Sequence, residues 1–289
     1  MNQQYTLRKS ASIGLSAVVL SMFALSVQAN LNLVKNGSFE TVTTTKNDAF
    51  SLAGVSNWAT LNSYTFLEVP GGATLPFAPS NGGSLYSGIA CTAPILPTTG
   101  PAPSGCFPTT SPDGGNFVVA DGGAYPFGVL WQSLTGLVVG QSYEVSFWQA
   151  AGQQKTYPGN TLEQWIVTLG GTLGSGNVNL TDGTTVNVAS MLVGGKSQHS
   201  DLMSTPNKDF VDWQYQTMTF QATDPNLPTG ATMPSTLLGF LSIGSPFGVP
   251  PFVLLDGVSV EAVPEPASYA LLGIGLLGAL FARRQKKCA

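Results

Sequence analysis

Two acidic residues, Asp121 and Glu163, are of a type that could support hydrolysis. A glycosidase needs only a pair of carboxylates, but the spacing of these two does not set them apart from the other acids. The one histidine, His199, lies in a Gly/Ser-rich stretch, where a solvated loop residue is expected more often than a catalytic base. No Gly-x-Ser-x-Gly, His-Glu-x-x-His or phosphate-binding loop occurs. The sequence predicts a non-catalytic protein, with a hydrolase as the alternative.

Aromatic residues near predicted loops could form a ligand surface. Sugars stack on aromatic faces and need a few polar partners beside them. We predict Trp58, Tyr125 and Trp131 as ligand-facing. Further loop-side aromatics and the candidate polar partners are Tyr64, Phe66, Phe127, Asn62, Asp121 and Gln132. The alternative is that the tryptophans are core residues, as most tryptophans of a β-sandwich are.

Alternating apolar and polar residues indicate the strands that would position these groups. The pattern is clearest in residues 141–150, 164–169 and 251–260. Turn signals such as Gly170-Gly171 and Asp182-Gly183 separate the predicted strands. Further strands are predicted at residues 116–121, 129–134, 178–179, 185–188, 212–222 and 236–243. Many antiparallel strands in one chain favour an all-β sandwich.

The last predicted strand carries an acid among apolar neighbours. Alternation places Phe252, Leu254, Val258 and Val260 on one side, and Asp256 falls on that same side. A carboxylate that faces inward needs a partner.

Composition limits the classes of function. Of 11 basic and 15 acidic residues in the chain, five lysines and 14 acids lie in residues 30–263, giving a net charge near −9 there. Nucleic-acid binding is improbable, because phosphate neutralisation needs clustered cations. Low charge with many Gly, Pro and Thr residues fits a secreted all-β domain, and the 43% hydrophobic content argues against disorder.

Two cysteines, Cys91 and Cys106, bracket a Pro/Thr/Gly-rich stretch within a predicted insertion at residues 70–115. In an oxidising compartment they are expected to form a disulfide, worth about 3 kcal/mol on the loop-entropy model. Two free thiols or a metal pair are the alternatives.

The N-terminus has the pattern of a secretory signal peptide. Arg8 and Lys9 precede an apolar run at residues 13–27, and small residues at Val27 and Ala29 suit a cleavage site. Signal peptidase would cut after Ala29, so that the mature chain begins at Asn30. An N-terminal anchor helix is the alternative.

The C-terminus combines a proline break, an apolar run and a basic cluster. Pro264-Glu265-Pro266 cannot be regular helix or inner strand. Residues 269–282 carry no charge, and a cluster beginning with Arg283-Arg284 follows, which favours a membrane helix with a cytoplasmic end over a buried core helix.

These three parts, in this order, resemble the PEP-CTERM sorting domain of Gram-negative bacteria. The resemblance implies a substrate of an exosortase-type membrane transpeptidase, held at the inner membrane and then delivered to the cell surface or extracellular matrix. Proteins of this class tend to accompany exopolysaccharide production.

Residues 33–40, 130–148 and 254–260 resemble the opening, central and closing strands of galactose-binding-like jelly rolls, which include carbohydrate-binding modules. The resemblance implies that Glu40 and Asp256, with backbone carbonyls, can hold a structural Ca²⁺. The chain departs from a common form of the family at Asp256-Gly257, where paired acids often occur. In the alternative reading, Glu40 accepts hydrogen bonds from turn amides and Asp256 caps the Asp-Gly bend.

Together these observations predict a signal peptide (1–29), an exported jelly-roll-like β-sandwich (30–263) and a sorting segment (264–289). We expect a surface or matrix protein that binds glycan or associates with exopolysaccharide. A secreted polysaccharide hydrolase and a purely structural matrix protein are the alternatives.

Overall fold

A computed structural model of the chain describes residues 31–42, 54–60, 64–68, 111–123, 129–154 and 157–264. The predicted signal cleavage site at Ala29 and Asn30, the pair Cys91 and Cys106, Tyr125, and the sorting residues Glu265, Pro266, Arg283 and Arg284 lie outside these ranges, as do both predicted terminal helices. The strands within the described ranges are β1 (Thr65–Glu68), β2 (Phe117–Asp121), β3 (Val129–Leu134), β4 (Ser142–Gln153), β5 (Thr161–Leu169), β6 (Thr172–Asn179), β7 (Thr185–Val193), β8 (Lys196–His199), β9 (Met203–Thr205), β10 (Phe210–Gln221), β11 (Thr236–Ser245) and β12 (Pro251–Ala262).

The strands form two facing sheets and a separate ribbon. Sheet A has the order β1-β2-β12-β4-β10, and sheet B has the order β3-β11-β5-β8 with β9 also paired to β5. The ribbon is the hairpin β6-β7. Every pairing is antiparallel. The prediction of an all-β antiparallel sandwich is confirmed. Within the described ranges no helix is long and apolar enough to span a membrane.

The main core lies between the two sheets because alternate residues of β4, β5 and β11 point inward. Phe240 is at its centre, with its ring centroid 5.2 Å from that of Phe147 and 5.9 Å from that of Trp165, both edge-on. Trp165 Nε1 donates to Leu254 O at 3.1 Å, so the indole nitrogen of this fully buried ring has a partner in the opposite sheet. This bond ties the sheets together across the core.

A β-bulge in β12 changes which side chains face the core. Asp256 pairs with Trp148 but Ser259 pairs with Ser146, so β12 has one residue more than β4 between these pairs. Gly257 provides the left-handed backbone conformation, with φ of 58°. Val258 therefore joins the inter-sheet core, whereas Asp256 stays on the outer face. The prediction that Asp256 and Val258 share a face is wrong, because the bulge reverses the alternation.

The first described segment lies beside β12. Leu33 N donates to Val260 O at 2.9 Å, and Val258 N donates to Gly37 O at 3.1 Å. At this same C-terminal end β12 runs directly into the predicted sorting segment, with Val263 N donating to Ser142 O at 2.9 Å. The opening and closing parts of the described chain are therefore neighbours, and this brings Glu40 near Asp256.

Candidate functional site

Asp256 is a fully buried carboxylate at the bulge in β12. Its Oδ2 accepts a hydrogen bond from Ser111 Oγ, whereas its Oδ1 has no partner. Burial, reinforced by the negative charges of Asp113 and Glu40, raises the pKa of Asp256 to about 8, against the lowering effect of hydrogen bonds from Ser111 and the Gly257 backbone. Among the described residues, this buried carboxyl group has one unsatisfied oxygen, two acidic neighbours and no positive partner.

Glu40 and Asp113 approach Asp256 from the exposed side, and we call these three residues the carboxylate cluster. Glu40 Oε1 accepts a hydrogen bond from Asn116 N and lies directly over the backbone of Gly115, where a side chain would collide with it. Gly115 has a φ of 69°, and its backbone passes close to this carboxylate. The loop before β2 therefore holds Glu40 in place.

The oxygens of the carboxylate cluster suit a hard cation such as Ca²⁺, which takes about 6–8 oxygen ligands. In the described part of the chain, no three Asp, Glu, His or Cys side chains are close enough to bind one metal ion. A bound cation would therefore use two carboxylates, from Glu40 and Asp256, together with hydroxyl or backbone oxygens. The hydrogen bonds of the alternative reading are also present, to Glu40 from Asn116 N and to Asp256 from the Gly257 backbone. They leave Asp256 Oδ1 available.

An aromatic pair borders the carboxylate cluster on the outer face of sheet A. The rings of Trp148 and Tyr215 have centroids 5.0 Å apart and are tilted by 57°. Tyr215 is 53% exposed, and Trp148 is half-buried. A methyl group at Gly257 would lie 3.0 Å from Trp148 Cδ1 and 3.3 Å from Asp113 Cβ, so the glycine lets the indole lie against the cluster.

Polar residues continue this face along the strands. On β4, Trp148 lies between Tyr215 of β10 and Asp256 of β12. Two residues earlier on β4, Ser146 lies between Thr217 and Ser259. The next row is Glu144, Thr219 and Glu261. Because side chains alternate between the faces of a sheet, these rows lie on the same face as the aromatic pair. The outer face of sheet A thus presents two aromatic rings followed by hydroxyl and carboxylate groups.

Trp58, predicted as ligand-facing, belongs to the core. It is 5% exposed, its ring centroid lies 5.2 Å from that of Phe39, and its Nε1 donates to Asn36 O at 2.8 Å. The prediction for this residue is wrong, because the segment around Trp58 pairs with β3 through Ala59 and directs the indole into the core.

Trp131 is half-buried on β3, on the outer face of sheet B, where it packs against the β6-β7 ribbon. Its backbone pairs with Ala59, through hydrogen bonds of 2.8 and 3.0 Å. Its neighbour Gln132 is buried and binds both backbone groups of Lys35 at 2.7 Å, which makes Gln132 a structural residue. A ligand role for Trp131 stays a prediction.

Glu163 is fully buried on the inner face of β5. Its Oε1 accepts hydrogen bonds from Thr205 Oγ1 and, at 3.4 Å, from Thr161 Oγ1, whereas Oε2 has no partner. Burial raises the pKa of Glu163 to about 8, partly opposed by the two threonine hydroxyls. This side chain has no access to a polymeric substrate.

Asp121 is also buried, at the end of β2, and its Oδ1 accepts a hydrogen bond from Gly123 N at 2.8 Å. Burial raises its pKa to about 7, against the lowering effect of that bond. His199 is exposed on β8, an edge strand and not a loop, with Nδ1 3.1 Å from Gln164 Nε2. The structure does not bring this histidine and the two acids together into one exposed group.

Sequence reasoning missed Ser111, Asp113, Trp148 and Tyr215. Trp148 could have been predicted from the sequence. The alternation in β4 places it on the polar face, on the side of the strand opposite to Val145 and Phe147. An aromatic residue on a polar face is a candidate for ligand contact. Asp113 gives no such signal, since only the long-range pairing of β2 with β12 brings it near Asp256.

Residues 262–287 match the PEP-CTERM protein-sorting motif. The motif implies an exported protein that is sorted to the cell surface and processed by an exosortase. No curated protein matches the chain in sequence.

Several solved structures resemble the sandwich. The enzymatically active domain of tailspike protein 4 from bacteriophage CBA120 is 10% identical, with 80% of this chain and 21% of that chain covered and a TM-score of 0.33. A CBM4 structure is 14% identical, with 80% and 99% covered and a TM-score of 0.33. TmCBM61, solved with β-1,4-galactotriose, is 10% identical, with 81% and 99% covered and a TM-score of 0.31. These values are too low to assign a ligand or an activity.

Proposed function

We propose that this PEP-CTERM-sorted chain is a non-catalytic glycan-binding protein of the cell surface or extracellular matrix. In this proposal a signal peptidase removes residues 1–29, and the C-terminal apolar helix holds the chain in the inner membrane until the exosortase acts. The sorting motif supports the location. The aromatic pair on the outer face of sheet A supports the binding role.

The pair Trp148 and Tyr215 is the observation that carries the glycan proposal. Carbohydrates bind through contacts of their C–H groups with aromatic faces, and they need hydrogen-bonding groups close by. The rows that begin with Ser146 and Glu144 supply such groups along the same face. A glycan chain would lie across the strands over Tyr215 and Trp148, with its hydroxyls directed at these rows.

The carboxylate cluster has a supporting role in this proposal. Glu40, Asp113 and Asp256 come from three segments that are distant in sequence. A Ca²⁺ ion held by Glu40 and Asp256 would join the first segment, the loop before β2 and the bulge of β12. It would also fix the edge of the surface on which Trp148 lies. The adjacency of the first segment and β12 further supports a jelly roll of the galactose-binding type.

The test is retention of the full-length chain on immobilised exopolysaccharide. We expect Tyr215→Ala and Trp148→Ala each to weaken retention by roughly three- to tenfold, the range for losing one aromatic contact of about 0.5–1.5 kcal/mol. Tyr157→Ala is the matched control, because Tyr157 is an exposed tyrosine in a loop away from this face.

Three results would overturn the proposal in different ways. Equal retention of Tyr215→Ala and Tyr157→Ala would remove the aromatic face as the site. No retention of the unmodified chain would favour a structural matrix protein without a ligand. New reducing ends in the polysaccharide would identify a hydrolase.

A further inference from the structure

The β6-β7 ribbon forms a third layer on the outer face of sheet B. One side of the ribbon buries Val178, Leu180 and Val188 against Ile166 and Leu241 of sheet B. Leu192 lies over Gly239 of β11, where any side chain on the glycine would approach within 2.6 Å of the leucine. The apolar side of the ribbon is thus fully used within the molecule.

Both edges of the ribbon are open in the described part of the chain. Each strand hydrogen-bonds to the other and to no further strand. Leu180 N donates to Thr184 O at 2.8 Å, which makes this a hydrogen-bonded pair. Such pairs alternate with non-bonded ones in an antiparallel ladder, so the pairs Asn179–Thr185 and Asn177–Asn187 are non-bonded. The backbone N–H and C=O groups of Asn177 and Asn179 therefore point outward from the β6 edge.

The ribbon lacks the usual protection of an exposed edge. Edge strands are commonly guarded by charged residues, proline or a covering segment. Between residues 170 and 195 the only charged residue is Asp182, in the turn, and there is no proline. On the solvent side, Asn187 Nδ2 donates to Asn177 Oδ1 at 3.0 Å, and Thr185 Oγ1 donates to Asn179 Oδ1 at 2.7 Å. This ladder of neutral polar side chains can be extended by another strand.

We propose that the β6 edge is an association surface, on which β6 of a second copy of this chain pairs antiparallel about a two-fold axis. Backbone groups of Asn177 and Asn179 would bond to the same region of the other copy. The two ribbons would then form one four-stranded layer. The proposal does not depend on glycan binding.

Charge and symmetry favour a second copy as the occupant. The exported part carries a net charge near −9, so most approaches of two copies are repulsive, whereas the ribbon is nearly neutral. An antiparallel pair of identical edges is self-complementary, as a two-fold interface requires. Of the two edges, β6 is the more exposed, since β7 packs against β3 and β11. Leu173 of β6, which is 43% exposed, lies at this edge and would be covered.

The first test compares Asn177→Lys with Asn187→Lys in the full-length chain. Both substitutions remove the same side-chain hydrogen bond and add the same charge, but only the first is on the β6 edge. By sedimentation velocity over a range of concentrations, we expect Asn177→Lys to weaken dimerisation about tenfold, or about 1.4 kcal/mol, and Asn187→Lys to change it much less. A parent chain that stays monomeric, or equal effects of the two variants, would overturn the proposal.

The second test does not depend on the lysine variants folding. Ser175, Asn177 and Asn179 are each replaced by cysteine in the full-length chain and expressed in an exporting cell, with Asn187→Cys and Thr135→Cys as controls. Because the backbone groups of these β6 residues would bond to the other copy, opposed residues form hydrogen-bonded pairs with Cα atoms about 5.5 Å apart, which a disulfide can bridge. At least one β6 position, alone or mixed with the variant two residues away, should give covalent dimers well above both controls. If none does, the β6 edge is not the interface.

Discussion

Asp256 and Glu163 are the two fully buried acids of the molecule's described part, and they differ in what surrounds them. Both have one oxygen without a partner, and burial raises the pKa of both to about 8. Asp256 lies beneath two exposed carboxylates at the surface of the sandwich. Glu163 lies deep on β5 among threonine hydroxyls. The first environment contains three acidic groups, whereas the side chains of described residues that bond to Glu163 are the uncharged Thr161 and Thr205.

The difference shows how a fold can satisfy a buried carboxyl group in two ways. Near other acids and close to solvent, a cation can neutralise the group, and several segments then share one ion. Away from other charges, a buried carboxyl group has the lower free energy when it stays protonated. We therefore propose a cation for Asp256 and a proton for Glu163, and each proposal predicts a different response.

The largest expected effect is that of Ca²⁺ on thermal stability. At a Ca²⁺ concentration about 100 times Kd, binding to the folded chain adds about 2.7 kcal/mol. That corresponds to a Tm increase of roughly 5–10 °C for a domain of this size. The measurement is calorimetry of chelator-treated full-length chain with and without added Ca²⁺. Asp256→Asn should lose the increase, and Glu163→Gln should keep it. No increase in the parent would remove the calcium assignment.

Glu163→Gln should change the pH dependence of stability. The pKa of Glu163 is raised from 4.5 to about 8 on folding, so its contribution is fully present below pH 4.5 and is lost as pH rises through 8. Glutamine resembles the protonated form and does not ionise. Relative to the parent, the variant should gain at least about 2 kcal/mol of stability between pH 5 and pH 9, because half of the pKa shift already corresponds to that difference, whereas the cost of imperfect hydrogen bonds of the amide is the same at both pH values. Urea unfolding at both pH values measures this, and a constant difference would contradict it.

Asp113→Asn should have the smallest effect, with a sign that depends on the metal. Without Ca²⁺, at a pH above about 8 where Asp256 is ionised, the substitution removes repulsion between Asp113 and Asp256 and should stabilise the chain by less than about 1 kcal/mol, as for other exposed charges. With Ca²⁺ it should lower affinity, because one negative charge near the ion is lost. Melting with chelator and calorimetric titration of Ca²⁺ measure the two parts. An unchanged Ca²⁺ affinity in Asp113→Asn would show that Asp113 does not act on the ion.

The sequence predicted the sandwich because alternation is a local property of a strand. The patterns in β4 and β5 place their alternating apolar residues in the core as expected, and β10 and β11 are strands as predicted. The short strands β1, β8 and β9 were not predicted, since three or four residues are too few to show a period. In β12 the alternation was extended across Gly257, whose positive φ shifts the register by one residue.

The candidate site was predicted only in part, because its residues meet through long-range pairing. Glu40 and Asp256 were predicted as calcium ligands from a resemblance; the negative charge of Glu40 contributes to the raised pKa of Asp256, and their role as ligands stays a prediction. The exposure of an aromatic ring depends on which segments cover it. Nothing near Trp58 in the chain indicates that Phe39 and Phe240 enclose its ring. Tyr215, in contrast, lies on a strand whose outer side stays open to solvent.

The hydrogen bond from Leu33 N to Val260 O has a mechanical consequence. The chain just after the predicted signal cleavage site and the chain just before the sorting motif leave the sandwich at the same corner. A tension applied through either segment therefore loads the same few hydrogen bonds of β12 and β4, whereas the β6-β7 ribbon, which is paired with neither strand, bears none of it directly. A protein held through this one corner would leave the proposed glycan face and the proposed β6 association edge free of the tether.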